Sequence, residues 1–179
     1  MKEAVYKKWE DKTTSFIPLY KGLTFLTFET LEKGKIHPLF KVNCHTGKDI
    51  SRLSVKLKLL TLSYILQSKR IRMCKTETEA TCLLCKDKEE IMEHFILGCR
   101  CLKTVRNPVL HELANELKEC DIDFWQLNEA KKIRLILDST TIGKTRKTIS
   151  ASAQRVELLS RRLIFQLPIT RYRRILDQK

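Results

Sequence analysis

Hydrophobic side chains recur at helical spacing along most of the chain, and the clearest run lies in its first half. In "DISRLSVKLKLLTLSYILQSKR" (49–70), Leu53, Leu57, Leu60 and Tyr64 form one stripe. At about 100° per residue, Val55, Leu59, Leu62 and Leu66 form a second stripe on the opposite side. A helix apolar on two opposite faces belongs between other elements, with Lys56 and Lys58 on its flanks extending their charges to water. This stretch is the expected core helix.

Three more segments carry the same period. "NPVLHELANELKE" (107–119) opens with Asn107 as N-cap and Pro108 at the first helical position. "EAKKIRLILDS" (129–139) is a short amphipathic helix. In "SASAQRVELLSRRLIFQL" (150–167), Val156, Leu159, Leu163 and Leu167 share one stripe. Pro168 is expected to break or kink that helix before the basic tail "RYRRILDQK". "LTFLTF" (23–28) is the best strand candidate, rich in aromatic and β-branched residues. The pattern predicts a mainly α, small helical domain with at most a short strand or hairpin near 23–28. It divides into an N-terminal basic extension (1–48), a helical core (49–140), and a basic C-terminal loop and helix (141–179).

Charge changes the picture next. Lys and Arg total 35 against 21 acidic residues, a formal charge of +14. Residues 1–80 hold 16 basic and 8 acidic side chains, 144–179 hold 10 and 2, and 81–143 hold 9 and 11. Two basic arms thus flank a near-neutral centre. Such an excess is the footprint of a polyanion partner, because Lys and Arg neutralise phosphates and release counterions. The most apolar stretch, "LKLLTLSYIL" (57–66), is too short and too polar to span a bilayer. The charged start "MKEAVYKKWEDK" does not read as a signal peptide. The seven cysteines are an odd number, unsuited to a complete disulfide framework. Nucleus or cytoplasm is the expected location, a reducing setting in which clustered cysteines more often bind metal than crosslink.

Four of the metal-ligating residues fall within "CLLCKDKEEIMEHFILGC" (82–99), spaced C-x2-C-x8-H-x4-C: Cys82, Cys85, His94 and Cys99. The first pair can bind one ion from a tight turn, and the second can close a tetrahedron. "KEEIMEHFILG" reads as a helix with Glu89 and Glu90 in its first turn. Ile91, His94 and Phe95 share its core-facing side, and Gly98 serves as a left-handed C-cap that turns Cys99 toward His94. Cys101, two residues on, competes with Cys99 as the fourth ligand. Cys44, Cys74 and Cys120 read as packing cysteines. Four strong ligands leave no open position for a reacting water, so the expected ion is one structural Zn2+. Lys86, Lys88 and Arg100 are near enough in sequence to soften the negative charge of three thiolates.

Read with its surroundings, the cluster resembles the zinc-binding segment at the C-terminal end of reverse transcriptases of non-LTR (LINE-type) retrotransposons. That family shows a helix reading like "vklrllTlsYiL", a short linker, then "C.lC…E..eHfll.C..l…R". The corresponding stretches here are "SVKLKLLTLSYILQSKR" and "CLLCKDKEEIMEHFILGCRCLKTVR", ending at Arg106. The resemblance places metal ligation on Cys82, Cys85, His94 and Cys99 and implies an accessory role in engaging RNA or DNA. No Y-x-D-D stretch of a polymerase palm is present. Asp121 and Asp123 read as turn or cap residues, not as a two-metal site. "ELK" (116–118) imitates half of a nuclease motif without the preceding Pro-Asp, and "IGKT" (142–145) has Asp138 where a phosphate-cradling loop needs Gly.

The chain therefore reads as a non-enzymatic, zinc-stabilised module that binds RNA or DNA largely through phosphates. The expected contacts are Lys144, Arg146 and Lys147 in the loop, with Arg161, Arg162, Arg171, Arg173 and Arg174 in the tail. Phe165 and Tyr172 are the only aromatics there able to stack on bases. The competing readings are a zinc-scaffolded protein–protein interaction module and an inactive retroelement remnant.

Overall fold

A computed structural model describes residues 7, 20–26, 37–42, 46–74, 79–143 and 151–178. Five α-helices carry the fold: α1 Gly47–Leu60, α2 Gln67–Cys74, α3 Lys103–Lys118, α4 Glu129–Leu137 and α5 Ala151–Leu176. The mainly helical expectation holds, and no strand occurs among the described residues. Over 23–28, Lys21–Leu23 forms a single 3-10 turn and the chain turns again to Leu26. Thr27 and Phe28 lie outside the described residues. An isolated short strand is unstable without a neighbouring edge, and none is offered here. Phe25 and Leu26 instead pack on the core.

Helix α1 begins with a capping box. The Thr46 hydroxyl accepts from the Asp49 backbone N–H at 3.3 Å, and the Asp49 carboxylate accepts from the Thr46 N–H at 3.2 Å. The predicted run to Arg70 is interrupted after Leu60. The Thr61 hydroxyl bonds the Leu57 carbonyl at 2.8 Å, and the Ser63 hydroxyl bonds that of Lys58 at 3.1 Å. These side chains compete for the carbonyls that a continuing helix would use. Leu62 then takes a left-handed φ of 52°, which turns the chain into α2.

Leu59 and Leu60 of α1, Leu113 and Leu117 of α3, Ile133 and Ile136 of α4, and Val156, Leu163 and Leu167 of α5 form one buried cluster. Leu39, from the described part of the N-terminal region, joins it. The core thus draws residues from all three segments, 1–48, 49–140 and 141–179. Helix α5 runs through Pro168 without a break. The proline removes one backbone donor, but buried Leu163, Ile164 and Leu167 fix the helix immediately before it. No helix among the described residues is long and apolar enough to cross a membrane.

Two charged residues expected at the surface are inside. Lys56 and Arg161 are both fully buried. The Lys56 ammonium donates to Glu157 at 2.5 Å and to the Ser160 hydroxyl at 2.8 Å. Arg161 donates to Glu157 at 2.8 Å and to the Leu39 carbonyl at 2.8 Å, and Ser139 donates to the same carboxylate. Burial at this depth requires such pairing, since an isolated charge is very costly in a low-dielectric interior.

Candidate metal centre

The chain reaches the cluster through a tight knuckle rather than a long helix. The Lys86 N–H bonds the Cys82 carbonyl at 2.9 Å, the Cys82 N–H bonds the Lys88 carbonyl at 2.8 Å, and the Glu90 N–H bonds the Ala80 carbonyl at 2.8 Å. Lys86 takes φ 52° to close the turn, and Thr81 and Glu89 form an isolated antiparallel bridge. Glu89 and Glu90 are thus part of the knuckle, not of a first helical turn. The following turn widens into a π-turn over His94–Gly98, where the Cys99 N–H bonds the His94 carbonyl at 2.6 Å. Gly98 is not in the left-handed region. The widened turn, and not a glycine cap, brings Cys99 beside His94.

The four predicted ligands converge. The Cys82, Cys85 and Cys99 sulfurs and one His94 ring nitrogen all lie within 4.8 Å of one another, and all four residues are buried. Cys82 Sγ is 3.9 Å from Cys99 Sγ, and Cys85 Sγ is 3.3 Å from His94 Nε2. A tetrahedron with metal–sulfur bonds of about 2.3 Å and metal–nitrogen bonds of about 2.0 Å has edges of about 3.8 Å and 3.5 Å. The observed separations bracket those edges, so the cluster can hold a metal ion. Cys101 stays outside the set, its thiol directed at the Leu84 carbonyl at 3.4 Å. Among the remaining cysteines, Cys74 is exposed and Cys120 half-buried, so Cys74 is not a packing residue. Cys44 lies outside the described residues.

The local electrostatics suit a cation. Burial pushes the Cys99 thiol up to about 12, with Cys82 adding to the effect, and burial likewise raises Cys82. For Cys85 burial also raises the pKa, but the Asp87 and Lys88 N–H groups outweigh it and the net shift is downward. Burial lowers His94 and favours the neutral imidazole that a metal requires. Thiols held together in this way need a divalent ion to stabilise them as thiolates.

Lys86, Lys88 and Arg100, the cations near the cluster in sequence, are exposed, and of these the Lys88 charge acts on His94. Arg100 only reaches the Cys85 carbonyl, at 3.2 Å. Two other guanidiniums lie further in, Arg106 buried and Arg171 half-buried. Arg106 donates to the Cys99 carbonyl at 2.9 Å, and this placement explains why α3 starts at Lys103 instead of Asn107. The helix must begin at the knuckle for Arg106 to face it, so Pro108 falls inside the helix. Arg171 makes a two-pronged pair with Glu90, at 2.6 and 2.8 Å. Glu90 is fully buried, and its carboxylate also accepts from the Gln67 N–H at the start of α2, at 2.9 Å. The only sequence signal for these partners was the arginine seven residues beyond Cys99.

The expected nucleic-acid contacts fare unevenly. Arg161 is buried in the core and cannot reach a phosphate. Arg171 is taken by Glu90, and Arg174 donates to the Cys101 carbonyl. Arg162 pairs with Glu112 at 3.0 Å while partly exposed. Arg173 and Tyr172 are exposed and Phe165 is half-buried. Lys144, Arg146 and Lys147 lie outside the described residues. Asp123 caps a 3-10 turn by accepting from the Trp125 N–H at 3.0 Å, and Asp121 occupies a left-handed turn position with φ 58°. Both are turn and cap residues, as the sequence indicated.

These features define the chain as a helical domain with a buried Cys/Cys/His/Cys cluster able to hold a metal. Compared with protein-family models, curated proteins and solved structures, the chain gives no match.

Proposed function

We propose that the cluster binds one structural Zn2+ and that the domain is a non-enzymatic, accessory RNA- or DNA-binding module, similar in role to the zinc-binding segment of LINE-type reverse transcriptases. The observation that carries the metal reading is the convergence of four buried donors within 4.8 Å of one another, two of the pairs at 3.9 and 3.3 Å. Zinc is favoured over other divalent ions by three sulfur ligands and one nitrogen ligand.

Nucleic-acid binding is supported by the charge of +14 and by where exposed cations sit. Lys86, Lys88, Arg100 and Lys103 are exposed around the knuckle. We place the phosphate contacts on this face together with Arg173, since most described tail arginines are engaged within the molecule. A specific feature favours protein–protein interaction as the second reading. An open, mainly apolar groove of about 600 Å3, lined by Tyr64, Leu66, Met73, Ile91 and Met92, lies beside the knuckle.

One experiment tests both parts of the leading reading. Metal analysis should give one zinc per chain, lost in Cys82→Ser. Fluorescence anisotropy with RNA and DNA oligonucleotides should give log affinity falling linearly with log salt. The Lys86→Gln/Lys88→Gln variant should flatten that slope by about 1 to 2. Zinc-loaded protein that fails to bind either oligonucleotide at low salt would sink the nucleic-acid reading and leave the groove as the functional surface.

A further inference from the structure

Resting on the metal reading above, we propose that the metal centre and the C-terminal end of α5 form one coupled unit. In this unit Arg171 is the positioning residue that lets the buried cluster accept a divalent ion, and the ion in turn holds the end of α5 against the knuckle.

Charge balance is the first argument. Glu90 lies inside the protein with one carboxylate oxygen 3.9 Å from Cys82 Sγ. With metal bound, three thiolates and this carboxylate place four negative charges in one buried region. A divalent ion with the Arg106 and Arg171 guanidiniums supplies four positive charges, and the region closes at neutrality. Without Arg171 the Glu90 carboxylate would face the thiolates uncompensated. An unpaired buried charge of this kind is among the most destabilising arrangements in a protein interior.

The second argument is mechanical. Pro168 divides α5 into two parts held by different means. The part before it is fixed by fully buried Leu163, Ile164 and Leu167. The part after it exposes Tyr172, Arg173 and Leu176 and packs half-buried Ile175 on the core, and its polar anchors are Arg171 on Glu90 and Arg174 on the Cys101 carbonyl. The first anchor ends on the knuckle and the second on the 3-10 turn Arg100–Leu102 that follows Cys99. Glu90 also caps α2 through Gln67, and the Ser68 hydroxyl bonds the Glu90 carbonyl at 2.9 Å. One carboxylate therefore joins the metal cluster, the start of α2 and the end of α5. Because coupling of binding equilibria is reciprocal, whatever docking of α5 contributes to metal affinity the metal contributes to docking of α5.

Zinc affinity of the full chain, measured by competition with a chromophoric chelator at pH 7.5, tests this. Arg171→Gln should weaken zinc binding by about 10–100-fold, as loss of outer partners of metal ligands does. Arg162→Gln, which removes an exposed pair with Glu112, should leave affinity unchanged. In the double variant Glu90→Gln/Arg171→Gln the uncompensated carboxylate is gone, and most of the lost affinity should return. A purely packing role for Arg171 would give no such rescue. Arg171→Gln binding zinc within twofold of wild type overturns the coupling while leaving the metal reading intact, as does a double variant no better than the single. Absence of zinc binding in the wild type overturns both.

Discussion

Lys56 occupies a site with no solvent exposure, against Glu157 and Ser160. Burial lowers its pKa while Glu157, and more weakly Asp138, oppose the shift, so the ammonium depends chiefly on the Glu157 carboxylate. Lys56→Met keeps the volume and removes the charge, leaving Glu157 to Arg161 and Ser139. The expected cost is about 3 kcal/mol, the lower end for breaking a buried pair because Arg161 remains. A urea midpoint unchanged from wild type would show that the network contributes nothing net. His94 makes the second residue-scale prediction. Its folded-state pKa lies below the ordinary 6.5, so below pH 6.5 the unfolded chain takes up a proton that the folded state resists. The corresponding stability is present above 6.5 and is lost as pH falls through the folded value. Metal ligation acts in the same direction, because the thiols and the imidazole must be free of protons to bind. Zinc occupancy and thermal midpoint should therefore fall together between pH 7.5 and 5.5, and occupancy that stays constant while the midpoint drops would separate the two effects.

At the scale of elements, α5 decides most of the architecture, packing against both α1 and α3. Its stripe of Val156, Leu159, Leu163 and Leu167 was readable from spacing alone; Val156, Leu163 and Leu167 are fully buried and Leu159 is half-buried. Leu163→Ala should cost about 2–5 kcal/mol through lost burial and the cavity left behind, measured as a shift in denaturant midpoint at constant m-value. A change in m-value instead would mean that the compactness of one state had altered. Element ends were less legible than element faces. The end of α1 depends on whether Thr61 and Ser63 hydroxyls reach carbonyls behind them, and the start of α3 depends on Arg106 meeting the knuckle. Pro168 and Pro108 both look like boundary signals in sequence. Each is carried inside a helix because neighbouring side chains are anchored by contacts distant in the chain, which outweigh one lost backbone hydrogen bond.

For the whole molecule, spacing alone picked out the metal cluster, because a C-x2-C pair and a His/Cys pair can close on one ion by local backbone geometry. The helical class was equally open to reading, since a 3.6-residue period is a local property of the chain. Charge was readable as a distribution along the chain, not as a surface. Which cations remain exposed is a matter of long-range pairing: Lys56 reaches Glu157, Arg161 reaches the Leu39 carbonyl, and Glu90 takes Arg171 from a tail that looks free in sequence. Leu39 and α5 likewise fill one core with residues of the central segment. The sequence by itself determined the helical class, the buried stripe of α5 in large part and the four candidate ligands, all set by local spacing. Only the tertiary structure decided where the helices end, which charges are buried, and that Arg171, 81 residues away in the chain, pairs with the carboxylate beside the cluster. Those outcomes depend on desolvation and pairing across the folded interior, which no local period records.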